Sequence, residues 1–448
     1  MKKSIIKCDH IVNEGSIFSG WIEIINGRIQ EVTRESHFQK NISEYLYYDF
    51  SDKTIIPGII DDQVHFREPG LTEKGNIYTE SKAAVAGGIT SFMEMPNTIP
   101  QTINLRALEQ KHEIAAKDSF TNYSFYIGAT NDNISEIVKL DSQLLCGIKA
   151  FLGSSTGNML MDDDYALEKL FAESQVLVAT HCEEESVIKK NLVYFQSLYG
   201  EDIPMSKHSL IRSEEACYLS TLKAINLAEK YKTRLHVLHL STAKELSLFN
   251  ANDKLQDKRI TNEVCVHHLF FNDSYYEKLG NSIKWNPSIK TEFDQKALFD
   301  GLKTNHLDII ATDHAPHTLN EKQQKYLKCP SGGPMVQHSL NIMLEFVKQK
   351  QISLEEIVNK MCHSPALIFK VKERGFLRAG YWADFTVIDL DNEWIVDKTN
   401  ILYKCGWSPL ENMKFSSKIT HTFVNGNLVY ENGIIHEDNR GNALNFNR

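Results

Sequence analysis

Hydrophobic and polar residues follow two different patterns along the chain, and each pattern predicts a different architecture. In residues 58–369, short apolar runs alternate with helical stretches at intervals of roughly thirty residues, which is typical of βα units around a parallel sheet. Eight such units predict an α/β fold with a closed (β/α)8 TIM-type barrel, whose active site gathers at the carboxyl ends of the strands. The eight runs are IIPGIIDDQVHF, GITSFMEMPN, YSFYIGAT, GIKAFLG, VLVATHCE, RLHVLHLST, ITNEVCVHHLFF and LDIIATDHAPH.

Both ends of the chain have shorter alternating patterns that are typical of antiparallel strands. The dipeptides Asn26-Gly27 and Asn425-Gly426 each stand between alternating apolar residues, which predicts two hairpins. Two β segments at opposite ends of a chain are able to pair. We therefore expect residues 1–57 and 370–448 to form one small β-sandwich domain, with the barrel spanning 58–369.

Composition and charge indicate which kinds of molecule the protein binds. The chain of 448 residues is 42% hydrophobic and 24% charged, which is typical of a globular protein with a large core. A net charge of −9 leaves no basic excess to neutralise phosphates, which argues against a nucleic-acid partner. The eight cysteines form no CxxC pair, and no apolar run is long enough for a membrane span. We expect a cytoplasmic protein that acts on a small molecule, away from membranes.

Polar residues with metal-binding chemistry stand at the ends of several predicted strands. His65 ends the first strand, His181 the fifth, His239 the sixth and Asp313 the eighth. A lone histidine is more often a surface or core residue than a ligand, but imidazole and carboxylate groups on four strands of one barrel predict a zinc site. Lys149 on the fourth strand fits less directly, because an ammonium is repelled by a dication. Its alternative interpretation is a lysine that binds an anionic substrate at the barrel mouth.

With these residues in place, the chain resembles the amidohydrolase superfamily, and within it the dihydroorotase family of the lysine-carbamate type. The resemblance covers nearly the whole chain. It implies that Lys149 in GIKAFL is carbamylated by carbon dioxide and bridges two zinc ions. His181 and His239 would complete the more exposed metal site, and His65 with Asp313 would serve the more buried one.

Gln63 departs from the family pattern. The strand-one motif of the family is His-x-His, and Gln63 takes the place of the first histidine. An amide oxygen is a weaker, neutral zinc ligand, so Gln63 is a doubtful metal ligand. We expect the exposed site to hold zinc and the buried site to be weak or empty, and a content of one or two zinc ions per chain stays open.

Four further residues are candidates for binding the substrate. Arg67 follows the first predicted ligand by two residues and therefore faces the site, where a guanidinium is the natural bidentate partner of a carboxylate. The resemblance implies that Arg67, Asn97 and His317 grip the carboxylate of dihydroorotate, and that Asn286 lies near the pyrimidine ring. The role of Lys290 stays open.

The implied reaction is the reversible hydrolysis of the cyclic amide of dihydroorotate to N-carbamoyl-L-aspartate, in pyrimidine biosynthesis. Asp313 is placed to move the proton between the attacking water and the ring nitrogen, with zinc activating both reactants. Two alternatives stand: an allantoinase- or hydantoinase-type cyclic amidase, disfavoured by Arg67, and a non-catalytic scaffold of the same superfamily, favoured by Gln63 alone. A homo-oligomer and an association with aspartate transcarbamoylase both stay open.

Overall fold

The N-terminal part of the chain forms a set of paired strands. The computed structural model describes residues 2–34, 40–153, 159–251 and 253–448. Asn26 and Gly27 adopt φ values of 51° and 82°, the left-handed conformation of a tight hairpin turn, which confirms the first predicted hairpin. The strands are β1 (Lys3–Asn13), β2 (Ser16–Ile25), β3 (Arg28–Thr33), β4 (Leu46–Asp49) and β5 (Thr54–Pro57).

The middle of the chain forms a barrel of eight parallel strands within the described residues. Their residues are buried almost throughout, as expected for a parallel sheet that helices cover from outside. The barrel closes where Val64 bridges His314 and the His65 amide donates to the His314 carbonyl at 2.7 Å. The predicted (β/α)8 barrel is confirmed. Its strands are β6 (Ile59–Val64), β7 (Ile89–Glu94), β8 (Asn122–Gly128), β9 (Gly147–Phe151), β10 (Val178–His181), β11 (Leu235–Val237), β12 (Ile260–Cys265) and β13 (Ile309–Ala311).

The C-terminal strands return to the sheet that the N-terminal strands began. Thr54 of β5 pairs with Ile388 in the antiparallel strand Phe385–Asp389, and the rings of Phe385 and Phe423 stack at 4.3 Å in the shared core. The second hairpin is confirmed at Asn425-Gly426. A small β domain built from both termini is thus present, as predicted. The strands are β14 (Phe385–Asp389), β15 (Trp394–Ile395), β16 (Lys414–Phe415), β17 (Lys418–Val424), β18 (Asn427–Glu431) and β19 (Ile434–Ile435).

Helices pack around the barrel, and one of them supports its closure. Glu80, in the helix formed by Ile77–Ala86, lies 2.9 Å from Nε2 of His314, the residue at the barrel seam. No helix of the described segments is both long and apolar enough to cross a membrane. The α-helices are α1 (Ile77–Ala86), α2 (Leu105–Asp118), α3 (Ile134–Ile137), α4 (Asp164–Glu173), α5 (Glu185–Tyr199), α6 (His208–Ile211), α7 (Glu214–Tyr231), α8 (Ala243–Leu246), α9 (Val266–Phe270), α10 (Tyr276–Leu279), α11 (Glu292–Lys303), α12 (Leu319–Lys322), α13 (Ser339–Lys348), α14 (Leu354–Val358) and α15 (Ser364–Ile368). Short 3-10 turns cover Ile42–Glu44, Met205–Lys207, Leu255–Asp257, Asp273–Tyr275 and Gly280–Ile283, and a π-helical turn covers Asn359–His363.

Candidate functional site

One cavity of about 240 Å³ brings the predicted site residues together. It lies where the barrel strands end, which is the functional face of this type of barrel. The predicted residues on its wall are Gln63, His65, Arg67, Asn97, Lys149, His181, His239, Asn286, Asp313 and His317. Five more complete the wall: Phe151, Arg212, Ala315, Ser331 and Gly332.

Two imidazole rings meet on one side of this cavity. Nδ1 of His181 and Nε2 of His239 are 2.9 Å apart, while Nε2 of His181 lies 3.0 Å from a carboxylate oxygen of Glu183. A carboxylate behind a histidine fixes its tautomer and leaves the other ring nitrogen for a ligand. Burial lowers the pKa of both histidines, so they are neutral, which is the form that binds metals.

The amine of Lys149 is buried beside these rings. Its side chain is about 1% exposed, and Nζ lies 4.6 Å from the ring centroid of Phe151. No carboxylate of the described residues comes within ion-pair distance of it. Burial lowers the pKa of Lys149 to about 7, so a large fraction of the amine is unprotonated near neutral pH. An unprotonated amine is the form that reacts with carbon dioxide.

Gln63 and His65 converge on one oxygen of Asp313. Nε2 of Gln63 donates to Oδ1 of Asp313 at 3.2 Å, and Nε2 of His65 lies 3.2 Å from the same atom. The Oε1 atom of Gln63 accepts a hydrogen bond from Sγ of Cys265 at 3.5 Å. The amide of Gln63 thus presents a donor to Asp313 and has its oxygen engaged elsewhere, which is the arrangement of a hydrogen-bonding residue.

Arg67 places a buried positive charge in the wall of the cavity. The side chain is 4% exposed, its Nε donates to the Pro316 carbonyl at 3.0 Å, and Nη2 lies 3.1 Å from Nε2 of His317. Burial lowers its pKa only to about 10, so the guanidinium stays charged. Within the described segments it has no carboxylate at ion-pair distance. Asn97 lines the same cavity and places Oδ1 2.7 Å from Nδ1 of His65.

Asn286 lies in the cavity wall, whereas Lys290 lies outside it. Asn286 lines the cavity, and its buried Oδ1 accepts no hydrogen bond from the described residues, so it is available to a ligand. Lys290 lies outside the cavity wall, where its ammonium donates to Oγ of Ser288 at 2.8 Å and to Oγ of Ser241 at 3.4 Å. Lys290 therefore ties two buried segments together, which answers the question that the sequence left open.

The sequence did not point to Arg212 or Glu183. Arg212 precedes α7, far from any strand end, and forms a buried ion pair with Glu183. Although burial favours the neutral carboxyl, Arg212 and His181 together lower the pKa of Glu183 to about 2. The available signal was that Glu183 stands two residues after the predicted ligand His181, a spacing at which its carboxylate is able to support the imidazole.

A second polar cluster lies inside the barrel, beneath this cavity wall. In the part of the chain that the structure describes, one group of His, Cys, Asp and Glu residues has three ligand atoms within 4.8 Å of one another: Asp62, His236 and Glu263. None of them was predicted as a ligand, and all three are fully buried.

Comparisons with known proteins show which family the chain resembles in sequence and which fold it shares. The model of the amidohydrolase family matches residues 54–429. A dihydroorotase of Methanosphaera stadtmanae is 31% identical over 391 residues, which covers 87% of this chain and 88% of that protein. A dihydroorotase of Pyrococcus abyssi is 31% identical over 433 residues, which covers 96% of each chain. Among solved structures, L-hydantoinase (dihydropyrimidinase) from Arthrobacter aurescens superposes with a TM-score of 0.92 over 99% of this chain and 100% of that one. At 24% identity, that likeness concerns the fold alone.

Proposed function

Because the chain belongs to the amidohydrolase family, we propose that its cavity hydrolyses the cyclic amide of dihydroorotate to N-carbamoyl-L-aspartate, and closes the same ring in the biosynthetic direction of the pyrimidine pathway. The relatives that match most of the chain carry the name dihydroorotase, which supports this substrate over other cyclic amides. The reaction needs a grip on a carboxylate, a means of activating water, and a group that carries a proton to the ring nitrogen.

The observation that carries the proposal is the charge of Arg67. A guanidinium that is 4% exposed and lies in a cavity wall, with no carboxylate partner among the described residues, is costly unless a ligand supplies the anion. Dihydroorotate carries such a carboxylate, whereas allantoin and simple hydantoins do not. His317 contacts Arg67 and Asn97 lines the same cavity, so an imidazole and an amide add to the same grip.

The donor set fits zinc. Two neutral, buried imidazoles present facing nitrogens, and the carboxylate of Glu183 lies behind one of them, as is typical of zinc ligands. The amine of Lys149 adds to carbon dioxide and releases one proton, which gives a carbamate anion as a third donor beside His181 and His239. His65 and Asp313 would hold a second ion more weakly, since Gln63 offers it a donor hydrogen instead of a lone pair. When bound, zinc would activate water for attack and polarise the amide carbonyl.

The residues of the chain then divide the remaining tasks. Asp313 has Oδ1 engaged by Gln63 and His65, so Oδ2 takes the proton of the attacking water and delivers it to the departing ring nitrogen. Arg67 holds the carboxylate so that the scissile amide faces Asp313. Asn286, with its unpartnered Oδ1, accepts a hydrogen bond from an N–H group of the ring.

The test is a side-by-side assay of the purified protein with dihydroorotate, allantoin and hydantoin, with metal content measured on the same sample. We expect turnover of dihydroorotate in both directions and at most trace turnover of the other two rings. Substitution of Lys149 by alanine should remove activity in the same assay. Hydantoin or allantoin turnover without dihydroorotate turnover would replace the proposed substrate, and inactivity on all three with metal present would favour a scaffold role.

A further inference from the structure

The cluster of Asp62, His236 and Glu263 lies on three barrel strands and outside the wall of the candidate active site. It joins β6, β11 and β12, and each of its side chains is 0% exposed. Oxygens of the two carboxylates, Oδ2 of Asp62 and Oε2 of Glu263, each lie 3.3 Å from Nε2 of His236. Two acidic groups therefore converge on one ring nitrogen in the dry interior of the barrel.

The hydrogen bonds around His236 determine which of its nitrogens carries the proton. Nδ1 lies 2.9 Å from Oγ1 of Thr261, and that hydroxyl donates its own proton to the Leu235 carbonyl at 3.3 Å. Thr261 must therefore accept from Nδ1, so Nδ1 carries a proton and Nε2 is the ring nitrogen that faces the two carboxylates. The space between Nε2 and the two carboxylate oxygens then needs a positive charge, which is either a proton on Nε2 or a metal ion bound by its lone pair. Three electron-rich atoms facing one another without a cation repel one another strongly at low dielectric.

Asp62 is the part of the cluster that most needs a ligand. Neither Oδ1 nor Oδ2 accepts a hydrogen bond from any described residue, although both are buried. A buried carboxylate normally accepts several hydrogen bonds or binds a metal ion. Glu263, by contrast, is oriented by its other oxygen, Oε1, which accepts from the backbone N–H of His239 at 3.1 Å.

We propose that Asp62, His236 and Glu263 hold a structural divalent cation, with zinc the best-suited common ion, inside the barrel beneath the candidate active site. The charge balances, since two carboxylates and a neutral imidazole offset a dication. The spacing also fits: tetrahedral zinc with bonds of about 2.0–2.1 Å has ligand atoms about 3.3 Å apart. Both nitrogen–oxygen distances have this value. Asp62 has two free oxygens and completes four-coordination as a bidentate ligand.

Such an ion would act as a clamp between strands that carry active-site residues. Asp62 directly precedes Gln63, and Glu263 holds the backbone of His239. Nδ1 of His236, bonded to Thr261, provides the outer-shell support that zinc-binding histidines commonly have. The full burial of the site implies that the ion enters during folding and leaves on unfolding.

Metal analysis of variants tests this proposal separately from the proposed function. The double variant His181→Ala/His239→Ala removes two imidazoles of the candidate active site. We expect this variant to keep about one zinc per chain, in the buried cluster, through dialysis against a chelator. Adding Asp62→Asn should lower the zinc content to about zero. The matched control is Asp61→Asn on the same strand. The buried carboxylate of Asp61 already accepts hydrogen bonds from the Thr312 hydroxyl and from the backbone N–H of Gln63. It should leave that zinc in place.

Crystals of the unmodified protein provide a second measurement that does not depend on any variant folding. Diffraction at the zinc absorption edge should show an anomalous peak between the Asp62 carboxylate and Nε2 of His236. Absence of that peak in crystals grown from zinc-supplemented protein would overturn the proposal and leave a cluster held by shared protons. Equal metal loss in Asp61→Asn and Asp62→Asn would also count against it, because barrel distortion would then explain the loss.

Discussion

Replacing Arg67 by methionine tests the substrate assignment most directly. The guanidinium is buried in the cavity wall, and its Nε is already used by the Pro316 carbonyl. Its two Nη groups, of which Nη2 also contacts His317, are the donors that a substrate carboxylate would accept from. Methionine has a similar length and fills much of the same space, so the main change is the loss of charge and donors.

The magnitude follows from the hydrogen bonds that are lost. A hydrogen bond to a charged group contributes about 1.5–3 kcal/mol, so a bidentate pair contributes roughly 3–6 kcal/mol. Asn97 and His317 remain and hold part of the carboxylate, which favours the lower half of that range. A loss of about 3–4 kcal/mol corresponds to a fall in kcat/KM for dihydroorotate of about 10²–10³-fold.

The assay compares rings with and without the carboxylate. Inhibition by orotate, which has the carboxylate, should weaken in Arg67→Met by about the same factor as kcat/KM, and inhibition by uracil should change by less than about threefold. Arg106→Met, an exposed arginine on α2, is the matched control and should behave as the unmodified protein. A fall in kcat/KM below about tenfold, or equal weakening of uracil and orotate, would refute the assignment of Arg67 to the carboxylate.

Three further predictions concern other parts of the molecule. Lys149→Ala should lose active-site zinc and activity, and a short carboxylic acid such as acetate should restore part of both; unchanged zinc binding would exclude the carbamate. Gln63→His should raise the zinc content by up to about one ion per chain, because an imidazole lone pair would replace the amide donor that faces Asp313; elemental analysis of both proteins decides this. Burial lowers the pKa of His338 to about 3, so the stability linked to its neutral form is complete above about pH 6.5 and is lost as the pH falls toward 3. His338→Gln should flatten that acid loss in a series of Tm measurements, and an identical pH profile in both proteins would contradict it.

The location of the candidate site was predictable because chemistry and strand position agree. His65, His181 and Asp313 are polar residues at the ends of apolar runs, and the closed barrel brings those ends to one cavity. The hairpins at both termini were predictable from Asn-Gly turns, since few other dipeptides adopt φ values above zero at two successive positions.

The buried cluster was not predictable because it breaks the simple alternation of strand faces. His236 and His239 are three residues apart and should face opposite sides of a regular strand. Both lie inside because β11 ends at Val237 and His239 takes a left-handed φ of 42°. Asp62 and Gln63 are adjacent and still both face inward, because the pairing register of β6 and β7 shifts between Asp61 and Val64. Such local irregularities depend on tertiary packing and leave no periodic signal in the sequence.

The pairing of β5 with β14 has a consequence for the protein during its synthesis. Thr54 meets its partner Ile388 about 330 residues later in the chain, which a ribosome adds in roughly 15–65 s. Throughout that interval the N-terminal strands lack the neighbour that completes their sheet, so the edge of β5 at Ile55 and Ile56 has no pairing partner on that side. An unpaired apolar strand edge is a template for association between chains. The unpaired edge of β5 therefore stays open to association with other chains until residues 385–389 have been synthesised and pair with it.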